Sequence, residues 1–248
     1  MSFTNLITNA IDTILDEITD NGKSTPSVVE LGNQRLKNNK SRSKIYNRLG
    51  ITGTPNLSTT KEFYHDIGFK KYLAIDVNTD KDAVALDLNM DLGKHYGFNE
   101  KFDLVTNNGT GEHVFNQYMV FKNAHDLCQP NGFMVHVLPF YRWVDHGFYN
   151  FQPNLFPCLA LQNNYKLCQL WIGESNAGRI EKLGGKLSRD KGYRHDFDLD
   201  TWDRDPMIVA VMQKLENNEF SSPQQHLYNN DNILFCKIEQ EQHIHIIN

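Results

Sequence analysis

Four apolar runs in the first half of the chain each stop at an acid or an amide: VVELGN (28–33), YLAIDVN (72–78), AVALDLN (83–89) and FDLVTNN (102–108). Segments of helical spacing lie among and after them, TKEFYHDIGF (60–69) before the second run and EHVFNQYMVFKNAHDLC (112–128) after the fourth. Strands alternating with helices imply a mainly parallel sheet with helices on both faces, because a parallel pair needs a crossover. In such sheets ligands bind at the carboxyl ends of the strands, where the strand order reverses. The polar strand ends are therefore the place to look for function.

The remaining elements follow the same reading. FMVHVLPF (133–140) is a fifth strand, after a helix stopped by Pro130-Asn131-Gly132. KLCQLWIG (166–173), MIVAVMQKL (207–215) and NILFCKIEQ (232–240) are later strand candidates, and 153–165 reads as helical. The expected fold class is α/β: a Rossmann-like, seven-stranded, mostly parallel sheet with helices on both faces and an antiparallel last strand. No linker interrupts the composition, so 1–248 is read as a single domain. Within it lie an N-terminal amphipathic helix (1–22), an insert (36–62), an irregular segment (174–205) and a C-terminal extension (217–248). Apolar residues from Phe3 to Ile18 recur at helical spacing, opposite Asp12, Asp16, Glu17 and Asp20. That pattern lacks the basic start and unbroken apolar stretch of a signal peptide.

The net charge of −5 disfavours a general polyanion-binding surface. A basic cluster at Arg35, Lys37, Lys40, Arg42, Lys44 and Arg48 reads as a solvated helix face. Four cysteines without a C-x-x-C pair fit a reducing, cytoplasmic setting. No run approaches the ~20 apolar residues of a membrane span.

The strand ends themselves indicate a cofactor. Gly32 admits a ligand close to the backbone. Asp76 suits vicinal ribose hydroxyls, since one carboxylate accepts two hydrogen bonds. Asp87 can accept from an exocyclic amine. No G-x-G-x-x-G turn is present, and Glu30 at the first strand end would oppose a pyrophosphate. A cationic, phosphate-free cofactor fits instead, and S-adenosyl-L-methionine has that chemistry.

The order VVELGNQ, YLAIDVN, ALDLNMDL, FDLVTNNGTGEHV, PNGFMVHVLPF resembles the class I S-adenosylmethionine-dependent methyltransferases over about residues 25–140. The resemblance implies Glu30 and Gly32 near the methionine part, Asp76 on the ribose, Asp87 and Leu88 beside the adenine, and Asn107 near the transferred methyl, with Asn33 and Val77 as further cofactor-binding residues. It departs at the loop, where a single glycine remains, and in the interval from Glu30 to Asp76, about twice the usual ~20 residues. The insert in that interval is expected to lie over the site.

Among ten histidines, His136 reads as a core residue of the fifth strand and His125 as lying on the outer run of a helix. His113 and His146 follow the carboxyl ends of the fourth and fifth strands. They are expected to meet across the site and to serve as base and positioner for an oxygen or nitrogen nucleophile. Trp143, Phe148, Tyr149 and Phe151 line a pocket there or lie under a lid. GEHV with YRWVDHGFYNF is also similar to the small-RNA 3′-end 2′-O-methyltransferases, which bind a divalent metal through E-x-x-E-H and a later histidine. Glu112, His113 and His146 match, whereas Gly109 replaces the first glutamate. The expectation is a site without a metal, these three being the candidate ligands if one binds. The expected partner is a small-molecule methyl acceptor, a sugar or other metabolite, with neither nucleic acid nor membrane. A nicotinamide-dependent oxidoreductase and a non-catalytic cofactor-binding protein of the same fold are the alternatives.

Overall fold

The structure, a computed structural model, describes residues 3–19, 25–36, 40–52, 59–80, 83–174, 179–183, 202 and 205–224. Its centre is an eight-stranded sheet. The strands are β1 (Ser27–Leu31), β2 (Lys71–Asp76), β3 (Val84–Ala85), β4 (Phe102–Asn108), β5 (Cys128–Pro139), β6 (Tyr165–Gly173), β7 (Ile180–Lys182) and β8 (Met207–Lys214). Their spatial order is β3-β2-β1-β4-β5-β8-β6-β7. The first five strands are parallel, and β8 runs antiparallel between β5 and β6. The α/β class and the antiparallel late strand agree with the sequence. The count of seven does not, because β7 pairs antiparallel with β6 at the edge. It lies within the segment read as irregular, and three residues are too few to show periodicity.

The sheet separates two apolar layers. Along β8, Met207, Val209 and Val211 face one layer, and Ile208, Ala210 and Met212 the other. This period-two alternation buries both faces of the strand. The first layer holds α1 (Asn5–Asp12), α2 (Leu15–Thr19), α3 (Lys40–Arg48) and α4 (Thr60–Asp66). The second holds α5 (Leu92–Tyr96), α6 (Gln117–Leu127) and α7 (Leu155–Gln162).

Several local expectations change. The N-terminal helix is two helices. Around Thr13 the bonds tighten to i−3, with Thr13 Oγ1 donating to the Ala10 carbonyl at 2.7 Å and Ile14 N to Ile11 O at 3.1 Å. The third strand is only Val84–Ala85, because Asp87 turns the chain by accepting from the Asn89 backbone at 2.8 Å. Helix α6 starts at Gln117 and not at Glu112. Asn116 caps it, and Gly111–His113 forms a separate 3-10 turn. Pro130-Asn131-Gly132 lies inside β5, where the register against β4 slips between Phe102 and Leu104. The strand expected at 232–240 lies outside the described residues.

The insert contributes α3, which packs on α1, with Arg48 reaching Asp12 at 2.6 Å and Asp16 at 2.8 Å. Of the basic cluster, Arg42 is buried and Arg48 is paired. The start of the chain is tied to the loop after β1 through Phe3 N and Arg35 O, 3.0 Å apart.

Candidate active site

Strand order reverses between β1 and β4, and the loops after these two strands are knitted together. Gly32 has φ +86°, and a Cβ there would lie 2.0 Å from Thr110 Oγ1. The glycine is thus required both by its backbone and by the close approach of the loop after β4. Gln34 and Asn108 exchange hydrogen bonds: Gln34 Nε2 donates to Asn108 O at 2.8 Å, and Asn108 Nδ2 to Gln34 Oε1 at 3.2 Å. Both residues are buried.

Asp76 lies at the end of β2, half-buried, and accepts from the Asn33 backbone at 2.8 Å and Asn78 Nδ2 at 2.8 Å. It therefore bridges the first two strand ends and keeps acceptor capacity for a ligand hydroxyl. Asn33 Nδ2 also donates to Asp80 O. Val77 is exposed beside it, and Leu88 is buried. Asp87 is engaged by Asn89.

Two residues expected at the cofactor are placed otherwise. Glu30 shares the face of Val28, toward the layer of α1 to α4. It is buried there and accepts from Thr60 Oγ1 and Tyr72 OH, both at 2.7 Å. Asn107 is also buried. Its Oδ1 accepts from Gly111 N at 2.9 Å, and its Nδ2 lies 3.2 Å from His136 Nδ1. Asn107 thereby holds the 3-10 turn that carries Glu112 and His113. His136 packs between Phe121 and Phe156, and burial pushes its pKa down to about 3. It is a core residue, as read. His125 is not on an outer face. It is buried, with Nδ1 2.6 Å from Tyr165 OH and Nε2 2.7 Å from Asn218 O. The segment after β8 supplies the second partner, which the sequence spacing does not indicate.

The two remaining histidines are brought together. The rings of His113 and His146 lie 5.1 Å apart, edge to face. Between them is Glu112, whose Oε1 is 3.8 Å from His113 Nε2 and 3.6 Å from His146 Nε2. One ligand atom from each of the three residues falls within 4.8 Å of the others. Glu112 is fully buried, and neither carboxylate oxygen has a hydrogen-bond partner among the described residues. Burial pushes its pKa up to about 7. Burial and the neighbouring His146 hold His113 below the usual histidine range, so it is neutral and able to accept a proton near pH 7.

The chain is stitched to hold this cluster. Phe148 N donates to Glu112 O at 2.7 Å, and Tyr149 OH to Phe115 O at 2.9 Å. Gly147, at φ +80°, lets the two segments meet: a Cβ would lie 2.9 Å from Glu112 O. Of the aromatics expected here, Phe148 is exposed, Trp143 and Tyr149 are half-buried, and Phe151 is core. Sequence reasoning missed Thr110, Gln34 and Phe115. Only Gln34 left a signal, as a polar residue replacing glycine in the loop.

No protein-family model matches the sequence. No curated protein sequence matches it either. Three solved structures similar in overall course are methyltransferases at low identity. One is a 1,6-didemethyltoxoflavin-N1-methyltransferase of Burkholderia thailandensis with 1,6-didemethyltoxoflavin and S-adenosylhomocysteine bound. It is 12% identical at a TM-score of 0.46, over 84% of this chain and 78% of that one. A candidate methyltransferase of Bacillus halodurans is 12% identical at a TM-score of 0.48, over 83% and 99%. A SAM-dependent methyltransferase of Archaeoglobus fulgidus is 11% identical at a TM-score of 0.45, over 84% and 94%. Likeness at this level reaches no residue correspondence, and the chemistry of the site is read from its own side chains.

Proposed function

We propose that this chain transfers a methyl group from S-adenosyl-L-methionine to an oxygen or nitrogen of a small-molecule acceptor. The carrying observation is the switch point itself. Asp76 at the end of β2 bonds the backbone of Asn33 beside the single Gly32, with no glycine-rich turn for a pyrophosphate. That chemistry favours a ribose-bearing cofactor without phosphate and disfavours a nicotinamide dinucleotide. Glu112, His113 and His146 then serve the acceptor. Its nucleophile forms a bond to the methyl carbon as the carbon–sulfur bond breaks, and the electron pair of that bond goes to sulfur. The acceptor's proton passes to an imidazole. The rest of catalysis is alignment.

A second reading concerns the same cluster. A fully buried carboxylate without a hydrogen-bond partner among the described residues, beside two imidazoles, is a donor set that suits a divalent cation. Glu112, His113 and His146 would hold it, and it would acidify an acceptor hydroxyl bound to it. Among the described residues no helix is long and apolar enough to cross a membrane.

Calorimetry with S-adenosylhomocysteine and with NAD tests the cofactor. Binding of the first alone is expected, and binding of NAD alone would refute the proposal. In a methyl-transfer assay, His113→Ala and His146→Ala should each lower turnover by ~10²–10⁴ with cofactor affinity kept. Loss of activity with a chelator, restored by Mg²⁺ or Mn²⁺, would select the metal reading. Insensitivity to a chelator would select the imidazole base. Cofactor binding without turnover on any acceptor would mark a non-catalytic binding protein.

A further inference from the structure

Two phenylalanines stand in water next to the histidine pair. Phe115 is 72% exposed and Phe148 67% exposed, although each lies two residues beyond one of the two histidines. Their rings are 6.1 Å apart at 85°, forming a corner. Hydrogen bonds from Phe148 N and to Phe115 O fix both backbones, so the rings are presented from a braced frame. The other large exposed apolar or aromatic side chains of these two segments are Tyr118, Tyr141 and Val144. An exposed aromatic cluster of this kind marks a binding surface.

Resting on the methyl-transfer reading, we infer that the acceptor is a planar aromatic molecule with an ionisable O–H or N–H at its ring edge. It is held face-on to one phenylalanine and edge-on to the other. This is the geometry in which aromatic pairs attract. The corner is tied to the histidine cluster, because Phe148 N donates to Glu112 O at 2.7 Å and each phenylalanine stands two residues after one histidine of the pair. The corner itself offers a ligand two phenyl rings, which suit the face of an aromatic ring better than the hydroxyls of a sugar.

The test uses 2-naphthol and adenosine as aromatic probes, with cyclohexanol and glucose as non-aromatic ones. Binding to the full-length protein saturated with S-adenosylhomocysteine is followed by ligand-observed NMR. At least one aromatic probe should bind, and the non-aromatic ones should not. The pair separates a phenol-type from a nucleobase-type acceptor. Phe115→Leu and Phe148→Leu should each weaken the aromatic probe about threefold to tenfold. Phe115→Tyr and Phe148→Tyr should keep it, and S-adenosylhomocysteine affinity should not change in any variant. Preference for glucose, equal binding by the leucine variants, or no aromatic binding to a protein that binds the cofactor would overturn the inference. The last result would assign the corner to a protein contact. Aromatic binding without any cofactor binding would leave the corner standing and remove the methyl-transfer reading.

Discussion

Glu112→Gln isolates the electrostatic cost of the site. Burial raises the Glu112 pKa from 4.5 to about 7. The folded protein therefore holds this proton over a pH range in which the unfolded chain has released it. Stability from this group is fully present below pH about 4.5 and is lost as pH rises through about 7. A shift of this size corresponds to about 3 kcal/mol. Glutamine keeps the shape and removes the charge, so the variant should match the parent near pH 4 and exceed it by about 3 kcal/mol at pH 8. For a chain of this size that is a melting midpoint about 6–12 °C higher. Thermal unfolding of both proteins in a chelator, from pH 4 to 8, reads the difference directly. Titration of His125 and His136 occurs in both proteins and cancels. A variant midpoint equal to or below the parent's at pH 8 would refute the reasoning, because it would mean that the imidazoles already compensate the carboxylate. If the cluster takes a cation, Mn²⁺ or Zn²⁺ should raise the parent's midpoint and leave the variant's where it is.

Asp76→Ala should weaken S-adenosylhomocysteine binding by about 1.5–3 kcal/mol, the range for hydrogen bonds to a charged group, and unchanged affinity by calorimetry would remove Asp76 from the site. Gly32→Ala should cost about 2–4 kcal/mol in denaturant unfolding, from the left-handed backbone and the overlap with Thr110. Adding Thr110→Gly to that variant should recover the overlap part alone, whereas failure of the pair to couple would place the strain elsewhere.

What the sequence determined by itself is the part governed by local periodicity and by residue chemistry at strand ends. Short apolar runs such as VVEL, YLAI and FDLV, set among segments of helical spacing, mark parallel strands, and their polar ends mark the side on which function lies. His113 and His146 could be brought together on paper because both follow neighbouring strands, and the rings do meet. Tertiary structure decided what depends on partners far along the chain. Glu30 sits at a strand end like Asp76, yet Thr60 and Tyr72 claim its carboxylate on the opposite face, and no spacing rule reports which face a crossover will cover. Asn107 turns inward to His136 and Gly111 because strand register puts His136 opposite it. Gly32 is glycine for the sake of Thr110 as much as for any ligand. The exposure of Phe115 and the isolation of Glu112 arise only once Gly147 lets two distant segments touch. An apolar ring left in water and a buried carboxylate without a hydrogen bond among the described residues are properties of surroundings, and surroundings exist only in the folded chain.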